Sequence, residues 1–308
     1  MGGGFHQAGF QTVFAAELDE RAVKTYNSNL EPVAEVWDVQ RVKRDLSYDI
    51  LVAGPPCQGF STLGKRDPKD LRNSLSLSIH KWSQSHNPKV VVIENVPQFL
   101  DSEYWKLLTK KFERDGYECT SWILNAADYG VAQIRHRSFT IYSKMGAPNK
   151  PRPSKRIKTV REAFKGLPRN PNGKNFHIAP APTELGLARM EVIPKNGDKR
   201  DVMRLAPELC PPSWFKMGEQ AVDVWGRMNW DRPSNTLRCA FQSASKGRYL
   251  HPEKNRVISI REGARIQGIP DEWVFFGDRS SMARQIGNGV PVPLAKAVAK
   301  SVKKLFDR

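Results

Sequence analysis

Two short, unbroken apolar runs mark this chain, Ile50-Leu-Val-Ala53 and Val90-Val-Val-Ile93, and each is stopped abruptly. Continuous apolarity over so few residues predicts strands buried on both faces, as at the centre of a parallel sheet. Gly54-Pro55-Pro56 ends the first run: two prolines fix their own φ and remove two backbone donors, so the chain leaves the sheet as a stiff turn. Cys57 then stands just past the strand's carboxyl end, the edge at which open α/β sheets gather ligands. The second run ends in Glu94-Asn95-Val96, where a carboxylate is costly unless it is paired or employed. A helix predicted over 71–86 separates the two runs and makes their strands neighbours.

The same pattern extends in both directions. Val13 to Glu17 reads as a strand ending in an acid, followed by Asp19 as cap for a helix with Ala22, Val23, Tyr26 and Leu30 on one face. Asp101 or Ser102 caps a further helix with Tyr104, Leu107, Leu108 and Phe112 as its apolar stripe, and Gly116 ends it. Tyr117 to Leu124 and Ser138 to Ser143 read as strands, and a last helix carries Leu294, Val298, Val302 and Leu305 on one side. From about Pro151 to Asn255 the pattern gives way to many prolines and few long apolar runs, which predicts an inserted domain with Trp214, Trp225, Trp230 and Phe241 as its small core. The expected division is therefore 1–150 plus 256–308 for a discontinuous α/β domain, and 151–255 for the insert.

Charge adds a partner to this picture. The 308 residues carry a net charge of +17, and between Lys144 and Arg200 there are 14 Lys or Arg against four acids. A polyanion is the expected partner, with phosphate contact from this Pro- and Gly-rich stretch set against a merely solvated loop face. The four cysteines, at 57, 119, 210 and 239, show neither metal spacing nor a disulfide framework, so no metal and a reducing, cytoplasmic setting are expected. No run reaches the length of a membrane span, and Met1-Gly-Gly-Gly does not read as a signal peptide.

Three places along the chain carry candidates for chemistry, five residues in all. Cys57 is either a small buried hydrophobe or a thiolate nucleophile, and the rigid diproline before it with Gln-Gly-Phe-Ser after it favours the nucleophile. Glu17 at a strand end is either a helix-terminus charge or the acceptor of two ribose hydroxyl protons. Gln133, Arg135 and Arg137 alternate along an extended segment and can share one face, three donors suited to a base oxygen and a phosphate, while His136 faces away.

The octapeptide Gly-Pro-Pro-Cys-Gln-Gly-Phe-Ser closely resembles the catalytic loop of the C5-cytosine DNA methyltransferases, and the rest of the chain supports the likeness in family order. Glu94-Asn-Val96, Gln133-x-Arg-x-Arg137, Arg232-Pro-Ser-Asn-Thr-Leu237, Ser259-Ile-Arg-Glu-Gly-Ala-Arg-Ile-Gln-Gly-Ile-Pro270 and Gln285-Ile-Gly-Asn-Gly-Val-Pro-Val-Pro293 each resemble a motif of that family. The resemblance implies a doubly wound, Rossmann-like methyltransferase domain with a smaller inserted target-recognition domain, which the helix after Ser259 mainly braces. It implies S-adenosylmethionine as methyl donor, held by Gly3, Gly4, Phe5, Glu17, Leu18, Asp38, Val39, Pro55, Asn288 and Val290. It implies Cys57, Glu94, Arg135 and Arg137 as the catalytic set, and Gln58, Ser61, Gln133, Thr236 and Leu237 as contacts to double-stranded DNA. The implied protein is a monomer associated with the nucleoid and serving restriction-modification or host DNA protection. An RNA cytosine methyltransferase and a catalytically impaired DNA-binding homologue are the rival expectations. The second arises because Gly2-Gly3-Gly4-Phe5 resembles only the latter half of the family's first motif, a glycine loop. Met1 falls inside that loop, so either the true start lies upstream or a central first strand is lacking.

Overall fold

The computed structural model describes residues 1–56, 75–217, 220 and 222–307, which fall into two compact units. Unit 1 comprises Met1–Tyr129, Arg135–Ser154 and Val292–Arg308; unit 2 comprises Gly130–Ile134 and Lys155–Pro291.

Unit 1 alternates helix and strand: α1 (Gly2–His6), β1 (Ala15–Glu17), α2 (Glu20–Asn29), β2 (Ala34–Val36), β3 (Ile50–Ala53), α3 (Ser78–His86), β4 (Val90–Asn95), α4 (Glu103–Arg114), β5 (Glu118–Asn125) and β6 (His136–Ser143). Asp19 caps α2 by accepting from the Arg21 amide, and Ser102 caps α4 by accepting from Trp105. β1 and β2 form a parallel pair, while the larger sheet runs β3-β4-β6-β5. β3 and β4 are parallel neighbours in register Ile50↔Val90 to Ala53↔Ile93, the adjacency that the intervening helix requires. β6 runs antiparallel to both β4 and β5. β4 is buried on both faces: Val91 and Ile93 pack with Ile79, Leu108, Phe112 and Tyr142, and Val90 and Val92 on the opposite face are equally inaccessible.

The start of the chain departs from expectation. Gly2 to Phe5 forms the helix α1, not a glycine loop, although glycine disfavours helix. Packing explains it: a Cβ at Gly4 would lie 2.4 Å from Ala295 Cβ and 2.6 Å from the Lys296 amide, so only glycine lets α1 approach the C-terminal helix Val292–Phe306 this closely. That helix buries Leu294, Val298, Val302 and Leu305, the predicted stripe, and Lys303 donates to the Ala8 carbonyl at 3.1 Å. The expected strand from Val13 begins only at Ala15, and Val13 is half exposed. The helix expected over 71–86 is α3, with 71–74 outside the described residues.

Unit 2 contains α5 (Val160–Phe164), α6 (Glu184–Val192), α7 (Lys199–Leu205), α8 (Pro212–Met217), α9 (Ile260–Ile266) and α10 (Arg279–Asn288). Among its described residues strand pairing is limited to isolated bridges such as Arg227↔Leu250 and Leu250↔Val257. The expected single core is two. Trp214 and Trp225 join Met190, Val202 and Leu250, whereas Phe241, with Trp230 against it, belongs to a cluster containing Leu237, Tyr249, Ile260, Ala264 and Ile286. This second cluster corrects the expected boundary at 256: α9 and α10 bury their apolar faces in unit 2, and the chain returns to unit 1 only at Val292. Among the described residues no helix is long and apolar enough to cross a membrane.

Candidate active site and cofactor pocket

The carboxyl ends of β3 and β4 are tied together. Asn95 donates its side-chain amide to the Pro55 carbonyl at 3.3 Å and accepts from the Val96 amide at 2.8 Å, while Ser138 of β6 donates to the Val96 carbonyl at 2.9 Å. These bonds fix the turn that leads into the octapeptide against the Glu94-Asn95-Val96 turn. Cys57, Gln58 and Ser61 themselves lie outside the described residues.

Glu94 is nearly buried and its two oxygens are differentiated. Oε1 pairs with Arg137 Nε at 3.0 Å, and a Cβ built on Gly54 would stand 3.6 Å from Oε2. Arg137 thus holds one oxygen of the carboxylate while the other is turned toward the start of the octapeptide. This pair is not legible in the sequence, because it depends on the antiparallel register of β4 with β6. Glu94 stands opposite Phe139, which places Arg137, two residues along β6, diagonally across from it. Arg135 is buried, its amide donating to Asn125 Oδ1 at 3.1 Å and its carbonyl accepting from Ala126 at 2.9 Å.

Gln133 corrects an expectation. It is fully buried in unit 2, its side chain turned to partners within that unit, donating to Gln267 Oε1 at 2.9 Å and accepting from the Leu237 amide at 2.8 Å. Leu237 is equally buried, in the apolar cluster, and Thr236 donates its hydroxyl to the Ile134 carbonyl at 2.8 Å. Gln133 and Leu237 therefore brace the segment 234–237. His136 is exposed, as the alternation required.

A second group of predicted residues gathers where β1 and β2 end. Glu17 Oε1 accepts the amides of Leu18 at 2.7 Å and Asp19 at 3.1 Å, which orients the carboxylate and leaves Oε2 able to accept further. Beside it are exposed Leu18 and, past the end of β2, Asp38 and exposed Val39. Solvent-facing Leu18, Val36 and Val39 around two carboxylates suit a ligand with an apolar ring and a diol. Gly3, Gly4 and Phe5 are buried within α1, so they shape this unit by packing and not as an open loop. Asn288 and Val290 belong to unit 2, where Asn288 ends α10 and accepts from the Cys239 thiol at 2.7 Å.

The described cysteines do not compete for the nucleophile's role. Burial pushes the thiols of Cys119 and Cys210 upward, opposite to what a reactive thiolate needs, and Cys239 is engaged with Asn288.

Comparison with known proteins gives a consistent result. A family model described as C-5 cytosine-specific DNA methylase matches residues 1–304. The chain is 32% identical to the type II methyltransferase M.DdeI of Desulfomicrobium norvegicum, over 99% of this chain and 86% of that protein. It is 31% identical to the type II methyltransferase M1.HphI of Haemophilus parahaemolyticus, over 98% and 83%. Among solved structures, a prophage-encoded DNA modification methyltransferase of E. coli superposes with a TM-score of 0.71 at 24% identity, covering 99% of this chain and 96% of that one.

Proposed function

The chain belongs to the C-5 cytosine-specific DNA methylases, a family that draws its methyl group from S-adenosylmethionine, and from that premise we propose that it methylates carbon 5 of a flipped cytosine within a short sequence of duplex DNA. The observation that carries this reading is the differentiated carboxylate of Glu94, held by Arg137 on one oxygen and turned on the other toward the turn preceding Cys57.

Carbon 5 of cytosine is too weak a nucleophile to take a methyl group directly. The Cys57 thiolate forms a bond to carbon 6, and the electron pair displaced toward ring nitrogen 3 is stabilised by a proton supplied or shared by Glu94. S-Adenosylmethionine, when bound, supplies an electrophilic methyl group. Carbon 5 of the activated base would take that methyl group as the methyl–sulfonium bond breaks and S-adenosylhomocysteine leaves; a base then removes the carbon 5 proton as the bond from carbon 6 to the Cys57 sulfur breaks, returning the thiolate and 5-methylcytosine. Arg137 holds Glu94 in place, and Arg135 holds the oxygen of the base. These atoms are inaccessible within a duplex, so the target base must leave the stack.

Glu17, Leu18, Asp38, Val39 and Pro55 would hold the adenosine end of the donor. Unit 2 reads the DNA, and the basic excess between Lys144 and Arg200 meets its phosphates. The protein acts as a monomer at the nucleoid, in restriction-modification or protection of host DNA.

The test is base-resolution mapping of cytosine methylation in DNA from a methylation-free host producing these 308 residues, with Cys57→Ala as control. The expected outcome is 5-methylcytosine at one short sequence, abolished in Cys57→Ala while DNA binding persists. Transfer near the original rate in Cys57→Ala would sink the mechanism, and methylation of tRNA with none of duplex DNA would decide for the RNA reading.

A further inference from the structure

The residues assigned to the adenosine end of the donor sit on the weakest scaffold in unit 1. β1 and β2 are three residues each and pair only with one another among the described strands, and two-stranded ribbons are marginal by themselves. Asp38 and Val39 lie beyond β2, in a turn closed locally by Arg41 donating to the Asp38 carbonyl at 2.9 Å and by Gln40 donating to Asp38 Oδ1 at 2.9 Å. Neither bond ties the turn to the rest of the unit.

A buried tryptophan does. Trp82 of α3 donates its indole N–H to the Val39 carbonyl at 2.7 Å, and its ring stacks on Phe14 at 5.8 Å and 14°. Phe14, just before β1, meets Trp37, just after β2, edge to face at 6.2 Å. One turn along α3, His86 stacks on Trp82 at 5.6 Å and its Nε2 lies 2.8 Å from the Lys43 carbonyl, so α3 grips the segment within the turn and just after it. An aromatic stack fixes the approach of two elements, and a directional N–H fixes one backbone atom within it.

We propose that Trp82 is a positioning residue for the methyl donor: by holding the Val39 carbonyl it keeps the Asp38 carboxylate and the Val39 side chain in place for the adenosine moiety. The inference rests on the reading that Glu17, Asp38 and Val39 hold that moiety. A site held ready before the ligand arrives binds more tightly because less ordering remains to be done.

Trp82→Phe retains an aromatic ring for Phe14 and deletes the N–H, together with part of the indole's buried surface. Calorimetric titration with S-adenosylhomocysteine should show binding weakened about three- to tenfold, the range of one directional hydrogen bond. KM for S-adenosylmethionine should rise in parallel, with kcat at saturation and DNA affinity unchanged, a split that general destabilisation would not give. Phe14→Leu keeps the N–H and removes the stack; it should weaken binding about twofold and serves if Trp82→Phe does not fold. Wild-type affinity in both folded variants, alongside loss in Glu17→Ala, would overturn the proposal and leave the cofactor placement standing. Wild-type affinity in Glu17→Ala and Asp38→Ala would overturn the placement, and this inference with it.

Discussion

The two units solve the problem of buried backbone polarity in different ways. In unit 1 the amides and carbonyls around the candidate site are spent on one another, in the ladders that join β3, β4, β6 and β5. Unit 2 has no such ladder among its described residues and uses buried guanidinium groups instead. Arg227 donates to the carbonyls of Met190, Ile193, His251 and Lys254, and Arg261, fully buried, to those of Asn175, Pro270 and Trp273. Arg256 forms a two-pronged pair with Glu262 at 2.7 and 2.8 Å, and Glu262 in turn completes the capping box of α9 by accepting from the Ser259 amide. A ladder spreads its free energy over many equivalent bonds; a guanidinium concentrates it in one side chain whose loss leaves several acceptors orphaned. Unit 2 should therefore be brittle at single positions where unit 1 is tolerant.

The sharpest break in the comparison is Arg256→Met. Burial pushes the Glu262 carboxyl up, but hydrogen bonds and charge from Arg256 outweigh it and hold the group below its usual range. Removing the arginine leaves a buried carboxylate without its cation, an expected loss of about 3–5 kcal/mol read by chemical denaturation. Limited proteolysis should then cut first within 155–291, and preferential cutting of unit 1 would contradict this contrast between the units.

Acid should pick out unit 2 by a slightly smaller amount. Burial is the main reason that the His251 imidazole is lowered from 6.5 to about 4; Glu262 and Glu253 oppose the shift, and Arg256 and Lys254 assist it. Its Nδ1 accepts the amides of Glu253 and Lys254 at 3.1 Å each, bonds that protonation there would break. Because the folded state disfavours the proton, the unfolded state binds more of it between these two values. Stability from this group is complete above about pH 6.5 and is lost as pH falls toward 4, roughly 3 kcal/mol in all. Melting curves at pH 7 and pH 4.5 should diverge for the wild type and less so for His251→Gln; equal divergence would assign the acid response elsewhere.

Unit 1 should register the smallest change. Ile93→Val removes one methylene from the buried centre of β4 but leaves the ladder intact, so a loss of about 1 kcal/mol is expected from equilibrium unfolding. A loss as large as that of Arg256→Met would erase the contrast between the units.

The contrast also separates what could be read in the chain from what could not. The runs Ile50–Ala53 and Val90–Ile93 required strands, and the helix between them required those strands to be parallel neighbours; both relations concern residues near one another in sequence and obey the local rules of periodicity and connection, but only Val90–Ile93 is buried on both faces, because β3 stands at the end of the order of described strands and stays partly exposed. So the chain alone determined that the diproline turn and Glu94 end side by side, that Glu17 ends a strand, and that the motif order is that of the cytosine methylases. Only the tertiary structure decided that Arg137 takes one oxygen of Glu94, that Gln133 turns inward to hold Leu237, that Gly2 to Phe5 coil into a helix, and that α9 and α10 belong to unit 2. Each of these depends on a partner far along the chain, whether a strand register, a buried acceptor or a helix approaching a glycine. A side chain's local neighbours say how far it can reach; which distant group it meets is set when the elements pack.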